Sequence, residues 1–318
     1  MMLNKAAAGW ARLKLGGVLA LLLVPPVAAA DLDWAYQVFE EELVEVDENA
    51  PRTVPGSSRS YTQAEIDDLW NPPDWFPDDH APLPEVVARG AGENVRACAS
   101  CHLTSGMGHP ESSQLAGLPA AYILRQMADF KSGARKDRFW MNEFAEAISD
   151  ADAQAAAEYF AALEPIDWVD VIETDTIPRN YIGDGRMRFR HPDGGTEPLG
   201  NRVLEFPVDR TLATARHPYS GFVAYAPVGS VALGEELATT GSAGKTLVCS
   251  ICHGEGLKGL GEVPSIAGAS PVYTVRQLND IKTGARSGPM AALMQATVAN
   301  LTEEDIVALA AYLASLDP

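Results

Sequence analysis

The chain has 318 residues, 47% of them hydrophobic, and a formal net charge of −19. So large an acidic excess excludes nucleic acid and disfavours anionic lipid as a partner, because like charges repel. An acidic protein of this kind is expected to dock on a basic patch of a partner protein, although the charge serves solubility equally well.

The first 30 residues have the pattern of an export signal. Lys5, Arg12 and Lys14 supply positive charge, residues 15–24 are apolar, and alanines at 28–30 form a cleavage site. At roughly 16 residues the apolar stretch is short for a spanning helix, which needs roughly 20. We expect cleavage after Ala30 and a soluble protein in the periplasm, with an uncleaved membrane anchor as the alternative.

Residues 31–81 form an N-terminal extension with 14 acidic and 2 basic side chains. Its aromatic residues, among them Trp34, Tyr36, Trp70 and Trp75, argue against a disordered tail. We expect the extension to wrap along the rest of the chain, and the alternative is that it binds a dehydrogenase subunit.

All four cysteines lie in two copies of the pattern Cys-x-x-Cys-His. The copies comprise Cys98, Cys101 and His102, and Cys249, Cys252 and His253. In this pattern both thiols bond covalently to haem, and the imidazole is an axial ligand of its iron. The sequence therefore predicts two covalently bound haem c groups and a redox function.

Two other uses of paired cysteines have to be weighed against haem. A four-thiolate zinc site usually has its pairs tens of residues apart, whereas about 150 residues separate these two. A redox dithiol does not require the histidine that follows both copies. Haem therefore remains the preferred interpretation.

The chain repeats itself at an offset of 151 residues, which becomes 153 after a two-residue insertion. The matched pairs include Tyr122 with Tyr273, Gln126 with Gln277, Arg135 with Arg286, Ser149 with Thr302, and Pro165 with Pro318. The repeat indicates one haem-binding module used twice. We call residues 82–169 module one, residues 232–318 module two, and residues 170–231 the connector.

Each module is predicted to be a small helical unit. Ser149 and Thr302 precede acidic residues and have the character of helix N-caps. Amphipathic helices are predicted over Ala120–Lys131 and Pro271–Lys282. Since each module has only about 85 residues, haem is expected to supply much of its interior, and the apo-protein to fold poorly.

The connector is rich in proline and glycine and lacks a helical period, which predicts ordered but irregular structure. Arg186, Arg188 and Arg190 alternate and would lie on one side of an extended segment. One hypothesis is that they neutralise haem propionates together with Arg135 and Arg286. The alternative is a solvated basic strand or a docking patch.

The order of motifs in each module resembles the class I cytochromes c. It runs from Cys-x-x-Cys-His through an Ala-Gly turn, Tyr-x-x-x-Gln and Gly-x-Arg to a methionine before a capped helix. The duplication resembles the tandem bacterial cytochromes c4 over residues 82–165 and 232–318. The resemblance implies a mainly α fold with two cytochrome c domains, His/Met-ligated haems and an electron-carrying role.

The sixth ligand of each iron is assigned from a matched spacing that the family shares. Met141 lies eight residues before Ser149, and Met294 lies eight residues before Thr302. Both are predicted axial ligands, since thioether sulfur favours ferrous iron. Three further methionines and four histidines compete with them without repeating between modules: Met107, Met127, Met290, His80, His109, His191 and His217.

The family also implies that each axial histidine donates a hydrogen bond to a proline carbonyl. Pro264 occupies that position in module two, whereas Ser113 stands there in module one. Because any backbone carbonyl can accept this bond, the site in module one is expected to persist, with a looser loop.

Three functions are compatible with this reading. The preferred one is a carrier of single electrons between a dehydrogenase or respiratory complex and a downstream acceptor. The alternatives are a two-haem peroxidase-type enzyme and a dedicated cytochrome subunit of a periplasmic dehydrogenase. Two methionine-ligated irons have no open position for peroxide, which favours the carrier.

Overall fold

The N-terminal extension has little regular structure but is anchored to the rest of the chain. The computed structural model describes residues 32–318, so the predicted export signal lies outside the described range. The extension contains the paired strands β1 (Pro51–Arg52) and β2 (Tyr61–Thr62) and one helical turn, α1 (Gln63–Ile66). The buried Trp75 donates its indole N–H to the connector carbonyl of Ala215 at 2.7 Å. The Tyr36 hydroxyl donates to Asp280 of module two at 2.6 Å. The extension therefore packs along the chain, as expected.

Module one is helical. Its helices are α2 (Glu85–Arg89), α3 (Ala99–His102), α4 (Ala120–Lys131), α5 (Met141–Ala147) and α6 (Asp150–Ala161). The predicted helix at Ala120–Lys131 is confirmed. The side chains of Val86, Val87, Ile123 and Phe160 form part of a shared core in which α2, α4 and α6 meet.

The connector is more regular than its sequence predicted, because it contains small sheets. Its strands are β3 (Val169–Glu173), β4 (Thr176–Pro178), β5 (Asn180–Ile182), β6 (Arg188–Arg190), β7 (Thr196–Pro198), β8 (Leu204–Pro207) and β9 (Phe222–Ala226), and α7 (Arg210–Thr214) lies between the last two. In the largest sheet, β9 pairs parallel with β3 and antiparallel with β8. Phe189 of β6, Phe206 of β8 and Phe222 of β9 have buried side chains.

Module two repeats the helical arrangement with longer elements. Its helices are α8 (Ser230–Thr240), α9 (Ser250–His253), α10 (Pro271–Thr283), α11 (Ala291–Val298) and α12 (Glu303–Ala314). The helix predicted to begin at Pro271 ends one residue later than expected. Helix α12 is buried along most of its length against α8 and α10. No helix within residues 32–318 is both long and apolar enough to cross a membrane.

Both predicted N-caps are confirmed. The hydroxyl of Ser149 accepts the amide of Asp152 at 3.1 Å, and that of Thr302 accepts the amide of Asp305 at 3.2 Å. In module two the Asp305 carboxylate also accepts the Thr302 amide, which completes a capping box, and pairs with Lys245 at 2.6 Å. The cap of module two is therefore more strongly connected than that of module one.

The Ala-Gly turn of each module requires glycine for the same reason. Gly117 has φ +72° and Gly268 has φ +66°, a region that favours glycine. An added Cβ would lie 3.0 Å from Pro165 in the first case and 2.9 Å from Pro318 in the second. The turn and the final proline thus repeat as one packed unit.

Candidate haem-binding sites

A cavity adjoins the cysteine motif of each module. Cavity one, of about 500 Å³, is lined by Cys98, Cys101 and His102 among others. Cavity two, of about 540 Å³, is lined by Cys249, Cys252 and His253 among others. Both volumes suit a cofactor of moderate size, and both walls are mainly apolar.

The motif is one turn of helix in both modules. The amide of His102 donates to the carbonyl of Cys98 at 2.9 Å, and the amide of His253 donates to that of Cys249 at 2.9 Å. Residues three and four positions apart share a face of a helix. The turn therefore presents both thiols and the imidazole to the same cavity.

Both motif histidines are oriented by a backbone carbonyl. The Nδ1 atom of His102 lies 2.9 Å from the carbonyl oxygen of Ser113, and that of His253 lies 2.9 Å from the carbonyl oxygen of Pro264. With Nδ1–H donating, Nε2 is the ring nitrogen left free to bind iron. Burial lowers the pKa of both imidazoles, which favours the neutral, ligating form. The carbonyl of Ser113 therefore accepts this hydrogen bond at the same distance as the carbonyl of Pro264.

The cysteines do not have the environment of a redox dithiol or of a zinc site. Burial raises the pKa of the Cys98 thiol to about 12 and that of the Cys249 thiol to about 11. A reactive dithiol needs a lowered pKa instead. The two pairs line separate cavities, so the four thiols do not come together at one site. The residues therefore fit haem c better than either alternative.

The predicted methionine ligands line the expected cavities. Met141, the first residue of α5, lies on the wall of cavity one, and Met294, within α11, lies on the wall of cavity two. Met127 also lines cavity one, whereas Met107 and Met290 line cavity two. The ligand assignment of Met141 and Met294 thus stays a prediction that rests on their matched spacing.

The four remaining histidines lie in loops and on neither cavity wall. His80 is near Asp74, and His191 is near Arg179 and Asp193. His109 and His217 are buried, not at the surface. The Nδ1 atom of His109 lies 3.2 Å from the carboxylate of Glu111, a residue that lines cavity one.

The modules meet through a backbone contact between the two Gly-Ala-Arg segments. Arg135 and Arg286 form an antiparallel bridge. The Lys136 amide donates to the carbonyl of Ala285 at 2.9 Å, and the Ser287 amide donates to that of Ala134 at 2.7 Å. Equivalent residues therefore face each other across the contact.

The side chains of these arginines cross between the modules. Arg135 donates to Tyr273 at 2.8 Å and Gln277 at 2.9 Å, and Arg286 donates to Tyr122 at 2.9 Å and Gln126 at 2.8 Å. We call these six residues the ladder. The tyrosines and glutamines of the ladder line both cavities. The sequence showed that these tyrosines and glutamines repeat, but no role was assigned to them. Their repetition on the helix that follows each cysteine motif was the signal that could have pointed to the cavity wall.

The arginines of the connector do not act together as proposed. Arg186 lines cavity one and stacks on Phe139 at 3.5 Å. Arg188 is buried against Asn180 and lines neither cavity, and Arg190 donates to the carbonyl of Pro207. The propionate hypothesis is therefore wrong for Arg188 and Arg190.

Comparison with known proteins identifies the family. The family model for cytochrome c matches residues 231–317. Cytochrome c4 of Pseudomonas aeruginosa is 37% identical over 238 residues, which span 72% of this chain and 92% of that protein. The chain belongs to the cytochrome c4 family. As a cytochrome of this family it binds haem c covalently and transfers electrons.

Other relatives of this cytochrome are named as electron acceptors of an enzyme, thiosulfate dehydrogenase. A thiosulfate dehydrogenase electron acceptor of Thiomonas intermedia is 29% identical over 230 residues, covering 71% of this chain and 81% of that protein. Among solved structures, the thiosulfate dehydrogenase of Marichromatium purpuratum matches with a TM-score of 0.49 and 28% identity over 72% of this chain. The matched part spans 38% of that enzyme's chain.

Proposed function

We propose that this cytochrome binds two haems and carries single electrons from a thiosulfate dehydrogenase to a downstream acceptor. The observation that supports the proposal is the repetition of the site, since each cavity is lined by a Cys-x-x-Cys-His motif and by the methionine at the matched position, among others. The class of donor is supported by two relatives named as its electron acceptors. When bound, haem supplies a one-electron couple at its iron.

Eight side chains hold the two cofactors in this proposal. The cysteines at 98, 101, 249 and 252 tether the macrocycles. His102 and His253 bind iron through Nε2, with their rings held by the carbonyls of Ser113 and Pro264. Met141 and Met294 would supply thioether sulfur to the two irons. Fixed ligands on buried elements limit the change in geometry between oxidation states.

The ladder keeps the two cavities together. Its tyrosine and glutamine side chains form part of the wall of both cavities, and each arginine belongs to one module while binding the other. Arg135 faces cavity one and Arg286 faces cavity two, where a guanidinium group pairs favourably with a carboxylate of the cofactor. Electrons would pass between the cavities across this contact.

The proposal describes a carrier and not a peroxidase. A peroxidase of this size needs one iron whose sixth position is open to peroxide, whereas the assigned ligands close both. Hydrogen peroxide turnover by the half-reduced protein would contradict this assignment. A dedicated subunit of a dehydrogenase is a variant of the same function, and co-purification with the enzyme would distinguish it from a free carrier.

The periplasm is the proposed compartment, with the export signal at residues 1–30 as its support. The acidic extension suits docking on a basic patch of a partner, with an encounter rate that falls as salt rises. Both statements rest on the sequence.

The function is tested by mixing the purified holoprotein with a purified, active thiosulfate dehydrogenase. Addition of thiosulfate should reduce both haems, as followed by visible absorbance, and a sample without the enzyme should stay oxidised. Oxidised haem after prolonged incubation with active enzyme and thiosulfate would contradict the proposed donor.

A further inference from the structure

Cavity one is built from more parts of the chain than cavity two. Gln37 of the extension and Arg186 of the connector lie on its wall, together with residues of both modules. Cavity two is lined by residues of the two modules, and none of residues 32–81 or 170–231 lies on its wall. The two segments outside the resemblance to cytochromes c4 therefore contribute to one cofactor site and not to the other.

Gln37 is a buried glutamine whose amide group has no protein partner. The residue is 4% exposed, and within residues 32–318 neither its Oε1 nor its Nε2 atom has a hydrogen-bond partner. Buried polar groups are nearly always paired, because an unpaired one loses its hydrogen bonds to water without replacement. A partner for this amide must therefore come from what the cavity holds.

The backbone on both sides of Gln37 is fixed by the rest of the chain. The carbonyl of Ala35 accepts a hydrogen bond from Arg276 of module two at 2.9 Å. The amide of Glu40 donates to the carbonyl of Ile182 in the connector at 2.9 Å. The extension thus holds Gln37 between module two and the connector, on the wall of cavity one.

The guanidinium of Arg186 on the same wall also lacks a protein partner. Arg186 has φ +56°, a region that residues other than glycine rarely adopt. Its guanidinium lies 3.5 Å from the centre of the Phe139 ring, and its Nη1 atom is buried without a hydrogen-bond partner among residues 32–318. Unusual backbone conformations cluster at ligand sites. Arg186 therefore offers a positive charge and an unused donor at cavity one.

The wall of cavity one is cationic, although the protein is strongly acidic. Six cationic and three anionic side chains line it, whereas the whole chain has a net charge of −19. One of the anionic residues, Glu111, also has a buried oxygen without a partner. Arg276 offsets its charge nearby, since it donates to the carbonyl of the preceding residue, Pro110, at 2.7 Å. A wall with this charge balance favours an anionic group inside the cavity.

We propose that Gln37 and Arg186 bind a carboxylate of the haem in module one, and that this contact stabilises the docked extension. The inference rests on the two haems of the proposed function. Haem carries propionate carboxylates, and the Nε2 atom of Gln37 and the Nη1 atom of Arg186 are hydrogen-bond donors suited to them. Because cavity two has no residue of the extension or the connector on its wall, only the haem of module one depends on these segments.

The test introduces Gln37→Met into the holoprotein, because methionine has nearly the length of glutamine and lacks both polar atoms. The potential of one haem should fall, since the negative charge of its carboxylate is then less well offset and favours ferric iron. Hydrogen exchange at the Glu40 amide should accelerate by about tenfold or more, the loss expected for one hydrogen bond to a charged group. Redox titration and hydrogen–deuterium exchange mass spectrometry measure the two effects.

Gln63→Met is the matched control. Gln63 is a buried glutamine of the extension that bonds to Arg52 and Asp67 and lines neither cavity, so its substitution should leave both potentials unchanged. Arg186→Gln should lower the potential of the same haem as Gln37→Met. Arg186→Lys keeps the charge and should restore most of that potential.

Unchanged potentials together with unchanged or slower exchange in Gln37→Met would overturn the inference. Removal of an amide that pairs only with water has that result, because an apolar side chain replaces a buried polar one without loss. Equal shifts of potential in Gln63→Met would overturn it as well. Intact mass confirms two covalent haems in every variant, and a single haem in the unmodified chain would contradict the proposed function instead. Neither readout involves a dehydrogenase, so the outcomes are independent of the proposed donor.

Discussion

Modules one and two hold the same motif in the same way but differ in what surrounds it. Both place a Cys-x-x-Cys-His turn on a cavity, and both orient its imidazole through a carbonyl at 2.9 Å. The extension and the connector contact both modules, but at different places: Arg216 of the connector donates to the carbonyl of Ser100 in the motif of module one, whereas Ile251 in the motif of module two is 69% exposed. Duplication has therefore preserved the cofactor site, and the two copies have diverged in their surroundings.

The largest expected effect comes from removing the cysteine pair of one module at a time. Cys98→Ser/Cys101→Ser should leave haem attached only in module two, and Cys249→Ser/Cys252→Ser only in module one, because each motif serves its own cavity. Intact mass after purification measures the outcome. Loss of both haems in either variant would show that the sites are not independent, and retention of both would show that the motifs are not the tethers.

Removing one predicted sulfur ligand is the next largest change. Met141→Ala and Met294→Ala should each abolish about half of the ferric thioether charge-transfer absorbance and lower the reduction potential of one haem, because sulfur favours the ferrous state. Met127→Leu and Met290→Leu are the matched controls. If Met127→Leu, and not Met141→Ala, reduced the absorbance, Met127 would be the ligand in module one. The same comparison between Met290→Leu and Met294→Ala would apply to module two.

A buried carboxyl between the connector and module two makes stability depend on pH. Glu205 accepts the hydroxyl of Ser270 at 2.6 Å and the amide of Val272 at 3.0 Å, and burial raises its pKa to about 7. The folded state keeps a proton that the unfolded chain releases above its ordinary pKa, so the free energy of unfolding falls as pH rises toward 7. The loss is roughly 3 kcal/mol.

Glu205→Gln should remove that loss, since the amide keeps an acceptor for both donors and does not ionise. Urea unfolding at pH 5 and pH 8 measures the difference for both proteins. The prediction fails when the wild type and the variant lose equal stability between the two pH values.

The ladder provides a smaller test of symmetry between the modules. Arg135→Gln should lower the potential of the haem in cavity one, and Arg286→Gln that in cavity two, on the order of tens of millivolts, because a nearby positive charge disfavours the oxidised state. Arg190→Gln, which removes a charge away from both cavities, is the control. Redox titration of each variant measures both potentials. If Arg190→Gln shifted them as much as Arg135→Gln and Arg286→Gln do, the role of the ladder would be contradicted.

The smallest expected effect compares the two helix caps. Thr302→Ala should cost about 1–2 kcal/mol of unfolding free energy, and Ser149→Ala about 1 kcal/mol or less, since only the former breaks a capping box beside the Lys245 ion pair. Denaturant unfolding measures both. A larger loss for Ser149→Ala would reverse the order of the two caps.

Local signals in the sequence were sufficient for much of the fold and of the candidate site. The helix at Ala120–Lys131 and both N-caps follow from periodicity and side-chain chemistry within one segment, and the motif histidines from a short pattern. The strands of the connector were not predicted, because pairs such as β3 with β9 join segments about 50 residues apart and no local period specifies them. For the same reason, the alternation of Arg188 and Arg190 did not show that strand β6 would lie away from both cavities.

The central claim is that one chain holds two haems in two matched cavities. Mass spectrometry of the purified, denatured holoprotein tests it directly, since thioether bonds survive denaturation. The account predicts a polypeptide that carries two covalent macrocycles and that loses one with either cysteine pair. A mass corresponding to a single macrocycle in the unmodified chain would contradict it.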